Sequence, residues 1–120
     1  MREEGYHKLL IWQRAKELVK LIYLVSDKFP DSEKHNLTSQ LRRAAISIVL
    51  NIVEGHRRNS NKEFIRFLNI ADGALAETEA CLELSLDLGY LTRVEFDKCE
   101  NSRRELAAML TAFTKSIKSR

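Results

Sequence analysis

Glu4 and His7 stand three residues apart, the spacing at which a helix presents a carboxylate and an imidazole to one metal ion. A di-metal site in a helical protein needs two such pairs and further glutamates, and the chain offers one. His35 and His56 have no partner at ligand spacing, and Cys81 and Cys99 form no CxxC or other metal motif. The two cysteines therefore read as reduced, packed thiols. No phosphate-binding glycine loop and no strand–nucleophile–helix motif is present. These residues predict no metal, no cofactor and no catalytic centre.

A second set of polar residues is more regular. Gln40, Ala44, Ser47, Asn51 and Glu54 follow one another by alternating steps of four and three, which puts them on one helical face. Leu41, Ala45, Ile48 and Ile52 form the neighbouring face. A hydrogen-bonded network that sets helix register is the first reading of this stripe. A ligand or partner contact through Asn51 and Glu54 is the second. A buried Glu54 would need an arginine to stay ionised. Arg43 lies about three turns away, so Arg66 or Arg103 is the expected partner.

The third set is basic. Net charge is only +3, but residues 33–62 hold six basic and two acidic groups, residues 63–92 one and six, and residues 93–120 seven and four. An acidic segment thus lies between two basic ones.

The elements that position these groups follow from the apolar period. Ile11, Ala15, Leu18, Ile22, Val25 and Phe29 keep a helical stripe without a miss, predicting a helix over about 9–29 that Pro30, Asp31 and Ser32 end. A second helix is expected over 33–57, ended by Gly55 and the polar loop after it. Ser60 and Glu63 have capping-box spacing before a third helix over 61–88, with Gly89 as a left-handed stop. Thr92 and Glu95 repeat the box before a fourth helix over 93–118. Its stripe is Phe96, Cys99, Arg103, Leu106, Leu110, Phe113 and Ile117. On helix three, Ala71, Ala74, Thr78, Cys81 and Ser85 are all small, which suits either a tight intrachain contact or a subunit seam.

No strand pattern competes, so the fold is all-α. Four helices with short loops predict one domain over 1–120, an antiparallel up-down-up-down four-helix bundle with left-handed crossings. No apolar run approaches the ~18 residues of a membrane span. The N-terminal MREEGYHK has no signal-peptide core, and a cytoplasmic location is expected.

In such a bundle the N-terminus, the helix two–three loop and the C-terminus share one pole. It gathers Arg2, His7, Lys8, His56, Arg57, Arg58, Lys62, Lys115, Lys118 and Arg120, offset by Glu3, Glu4 and Glu63. A basic pole can engage phosphate backbones, and no base-reading motif accompanies it. Arg57, Arg58, Lys62, Lys115, Lys118 and Arg120 are the nucleic-acid-binding candidates.

The segments LLIWQRA, LTSQLRRAAISI, NIVEG and KEFIRFLNIADGALAE, spread from His7 to beyond Leu91, carry a resemblance. The chain resembles the four-helix-bundle proteins encoded in intervening sequences of bacterial large-subunit ribosomal RNA genes, labelled S23 ribosomal proteins. Gln40, Arg42, Arg43, Ser47, Asn51, Glu54 and Gly55 fall on that family's helix two motif. Glu63, Phe64, Arg66, Phe67, Leu68, Ala71, Gly73 and Glu77 fall on its helix three motif. Val49 stands where the family usually has proline, so a kink there should be weak or absent. The resemblance implies a ring, commonly a homopentamer. It also implies kinship with accessory proteins of diversity-generating retroelements, which bind a reverse transcriptase and nucleic acid. It assigns no catalytic residue. Together these readings predict a non-enzymatic, ring-forming bundle that binds RNA through its basic pole; a protein-interaction scaffold without nucleic acid is the alternative.

Overall fold

A computed structural model describes residues 5–120. The expectations placed on Arg2, Glu3 and Glu4, including the Glu4–His7 pair, lie outside the described residues. Four helices follow a short 3-10 turn at Tyr6–Lys8: α1 Leu10–Ser26, α2 Leu37–His56, α3 Asn61–Asp87 and α4 Arg93–Lys118. A second 3-10 turn, Asp31–Glu33, lies between α1 and α2. No strand occurs among the described residues.

Each helix packs on its neighbours in sequence, and α1 closes the square against α4. Cross-helix pairs show α1 and α4, and α2 and α3, to be antiparallel. Arg14 meets Glu105 while Lys28 meets Glu95, and Gly55 meets Phe64 while Gln40 meets Glu77. The result is a rod 45 Å long and about half as wide.

The apolar stripes read from the sequence form its core. All six stripe residues of α1, from Ile11 through Val25 and on to Phe29 beyond the helix, are buried, as are Leu41, Ala45, Ile48 and Ile52 of α2. On α4, Phe96 and Phe113 are half-buried and the rest of the stripe is buried, Arg103 included. The small residues of α3 are buried too: Ala71, Thr78 and Ser85 have no exposed surface. They serve packing within the chain, against the subunit-seam alternative. The Thr78 and Ser85 hydroxyls donate to the carbonyls of Ala74 and Cys81 at 2.8 and 2.7 Å, which satisfies them without a partner helix. Both thiols are free and buried.

Helix ends differ from expectation in instructive ways. Helix α1 stops at Ser26, four residues before Pro30; the Phe29 amide turns back to the Ser26 carbonyl at 3.0 Å. Proline disfavours helical backbone at the residue before it, so the helix ends early. Helix α2 starts at Leu37, later than the expected Glu33, because residues 31–33 wind into the 3-10 turn. Gly55 does not end α2. It sits inside the helix, where a β-carbon would lie 2.8 Å from Phe64 Cδ1 and 2.9 Å from Phe67 Cβ. Its missing side chain lets the end of α2 approach the start of α3. Gly89 is the left-handed stop expected, at φ +79°. The Tyr90 amide reaches the Ser85 carbonyl at 2.9 Å and the Gly89 amide reaches Leu86 at 3.0 Å, the two bonds of a Schellman motif. The Thr92–Glu95 box is complete. At Ser60 only half forms: Ser60 caps the Glu63 amide at 3.1 Å, while the Glu63 carboxylate turns to Arg66. Val49 lies within an unbroken α2.

Candidate nucleic-acid interface

The pole that holds the α2–α3 loop and the end of α4 is organised around Phe64. Its ring, buried at the start of α3, meets His56 edge-on at 6.0 Å and Phe113 of α4 at 5.6 Å. This aromatic contact joins three helices and brings their basic ends together. Arg57, Arg58 and Lys62 leave from the α2–α3 connection, and Lys115, Lys118 and Arg120 from the last turns of α4. All six are exposed. Arg57, Lys62, Lys115, Lys118 and Arg120 form no salt bridge with any described residue. Cations at the C-terminal ends of α2 and α4 also complement the helix dipoles there. His56 departs from the set: it is 7% exposed and packs against Phe64, so it belongs to the core of the pole and not to its surface.

Arg58 is held differently. Its guanidinium lies 4.8 Å from the Phe67 ring centroid and pairs with Glu54 at 3.0 Å. Arg66 covers the same ring at 4.4 Å and pairs with Glu63. That hydrogen bond holds the Glu63 carboxyl below its usual range. Two arginines are therefore held over an aromatic ring beside the freer cations, where their remaining donors can meet phosphate oxygens.

The polar stripe of α2 is a half-buried surface feature. Glu54 is partly exposed and pairs with Arg58 one turn on, not with Arg66 or Arg103 as expected. Surface pairing four residues apart removes the need for a buried counter-ion. Asn51 donates to the Ser47 carbonyl at 2.8 Å and to its hydroxyl at 3.1 Å. Gln40 crosses to Glu77 of α3 at 3.1 Å. Arg42 crosses to α1, where Nε donates to the Ser26 hydroxyl at 2.9 Å and the guanidinium stacks 4.4 Å over Tyr23. Arg43 points to solvent without an ion pair to any described residue. The stripe thus ties α2 to both neighbours, and Asn51 and Glu54 are satisfied within the chain.

The buried charge lies elsewhere, on α4. Glu100 and Arg103 are 4% and 8% exposed. Arg103 Nη2 and Nε reach the Glu100 carboxylate at 2.5 and 2.9 Å, and Nη2 also meets Glu79 of α3 at 2.9 Å. Arg104 adds a bond to Glu100 at 3.2 Å. The Arg103 hydrogen bond, against the cost of burial, keeps the Glu100 carboxyl below its usual range. The sequence placed Arg103 on the buried stripe; Glu100, three residues earlier and so on the same side of α4, was the signal left unread.

No group of three or more metal-ligating side chains occurs among the described residues. No helix among them is long and apolar enough to cross a membrane.

An antiparallel four-helix bundle with one basic pole is the class that fold and site define. Residues 7–112 match the family model of the 23S rRNA-intervening sequence proteins, and the chain belongs to that family. It is also similar to a solved structure from Bacteroides thetaiotaomicron VPI-5482, described as a protein with unknown function from the S23 ribosomal protein family. The two are 28% identical with a TM-score of 0.79, over 88% of this chain and 99% of that one. No functionally curated protein matches the chain.

Proposed function

We propose that this protein is a non-enzymatic, cytoplasmic, ring-forming bundle that binds RNA through the phosphate backbone at its basic pole. One observation carries the reading: Arg57, Lys62, Lys115, Lys118 and Arg120 converge at one end of the rod with no salt bridge to a described residue. Uncompensated cations of this kind release phosphate counterions on binding. In a ring, commonly five subunits in proteins of this kind, the pole repeats around the axis and modest contacts multiply. Since the small residues of α3 are used inside the chain, a ring seam would have to draw on other surfaces; Leu50 on α2, Ile70 and Leu84 on α3 and Leu88 just past its end are large apolar side chains left exposed. A nucleic-acid enzyme such as a reverse transcriptase is the protein partner that the resemblance implies.

The test is a salt series of RNA binding with the triple variant R57E/K62E/K118E. The expected result is at least ~10-fold weaker binding at low salt and a log–log salt slope shallower by about 2, at roughly 0.7 per lost phosphate contact. Binding unchanged in strength and slope would remove this pole as the interface. Native mass measured alongside checks the ring: a monomer at micromolar concentration counts against it.

A further inference from the structure

The opposite end of the rod holds a group that nothing so far uses. Thr38 is 8% exposed, and its hydroxyl is the one buried side-chain polar atom among the described residues that lacks a hydrogen-bond partner. A threonine at this depth in a helix ordinarily satisfies its hydroxyl on the carbonyl four residues back, as Thr78 does. Thr38 does not, because it lies in the first turn of α2 and residue 34 lies outside the helix.

The same turn leaves backbone donors open. Asn36, at the N-cap, makes no side-chain capping bond. The Leu37 amide has a long contact to Glu33 at 3.4 Å, and the amides of Thr38 and Ser39 have no acceptor among the described residues. The start of a 20-residue helix with free amides attracts anions.

Thr38 lines a cleft of about 270 Å³ together with Lys34, His35, Ser39, Arg42 and Arg43, and no carboxylate lines it. Lys34 and Arg43 have no ion pair with a described residue. Arg42 is clamped by Ser26 and Tyr23 through Nε and Nη2, and its Nη1 has no partner among the described residues. Asp27 and Asp31 line the adjoining cleft, which Thr38, Lys34 and Arg42 share, and Asp27 lines a further cleft with Arg42 and Tyr23.

The geometry points to a phosphate-binding site at the first turn of α2, with the Thr38 and Ser39 amides and hydroxyls as donors and Lys34, Arg42 and Arg43 as counter-charge. A tetrahedral oxyanion has acceptors enough for several converging donors, and three cations match a dianion better than a carboxylate. The site is at the other end of the molecule from the proposed RNA pole, so each stands or falls alone.

Amide NMR of the full chain, titrated with inorganic phosphate against chloride at matched ionic strength, tests it. The Thr38 and Ser39 amides should shift along one saturable curve with phosphate only. T38V and R43Q should each weaken that affinity at least ~5-fold, as loss of one hydrogen bond or charge does. T38V should melt no lower than the parent, since the hydroxyl it removes is unpaired. Equal response to chloride, or unchanged affinity in both variants, would overturn the site. Short oligoribonucleotides with and without a 5′-phosphate then identify the source. Competition by the phosphorylated one alone assigns a phosphate monoester, and competition by both assigns the phosphodiester backbone. Competition by neither assigns a small phosphate.

Discussion

Gly55 and Gly73 fall inside α2 and α3, yet their surroundings are opposite. A β-carbon at Gly55 would strike Phe64 and Phe67 below 3.0 Å and the Phe64 carbonyl at 3.2 Å, while at Gly73 it would meet nothing within 4 Å. Gly55→Ala should therefore cost about 1–3 kcal/mol by overpacking, because two of the atoms it meets lie at or next to the α3 backbone. Gly73→Ala should stabilise by about 0.4–1 kcal/mol through the lost freedom of the unfolded chain. Thermal or urea melts of the two variants check this. The contact also matters for the pole, since Gly55 is what lets His56 and Arg57 arrive beside Phe64. A period-based reading marks Gly55 only as a breaker. Its packing role depends on a helix that returns nine residues later, and no local pattern contains that.

At the scale of the elements, the α3–α4 seam is held by a buried ion cluster as well as by apolar contact. Replacing Arg103 with methionine would leave Glu100 with Arg104 alone in a site that is 4% exposed. The loss should be about 3 kcal/mol, the low end for breaking a buried pair, since one arginine remains. The pH dependence has a definite sign. Glu100 titrates lower in the folded protein than its unfolded value of about 4.3, so its contribution is complete above that pH. It is lost as pH falls through the lowered folded value. Melting temperatures followed from pH 7 to 3 should drop below about pH 4 in the parent, and less over that window in Arg103→Met. Four helices and their stripes were legible because each repeats its period over several turns. The partner of Glu54 was not. A helix face tells which residues share a side, but how deep that side sits depends on the neighbouring helices, and here α2 turns its amide-rich stripe toward a half-open surface.

For the whole molecule, the antiparallel topology decides where charge accumulates. Basic groups at the ends of α2 and α4 meet at one pole only because the helices alternate in direction, and short loops made that direction readable before any coordinate. The second cationic region was not readable in the same way. Lys34, Arg42 and Arg43 are unremarkable in sequence; they matter because α2 begins four residues later than its pattern suggests, which exposes a turn of amides beside them. Small residues on α3 gave a further lesson. Their close-approach potential is spent on α2 and the core, so the proposed ring would have to draw on other surfaces.

Cys81 and Cys99 offer a way to watch this bundle breathe. They are 5% and 0% exposed, and burial, the largest influence on each, raises both thiols, Cys99 to about 11. A sulfhydryl that is neither ionised nor reachable reacts only while the helices are apart. In native buffer, alkylation of both should run at least ~1,000-fold slower than in urea, in line with ordinary domain stability. If Cys81 were labelled well before Cys99, α2 and α3 would be separating while α4 held. Simultaneous labelling would mean that the four helices open as a single cooperative unit.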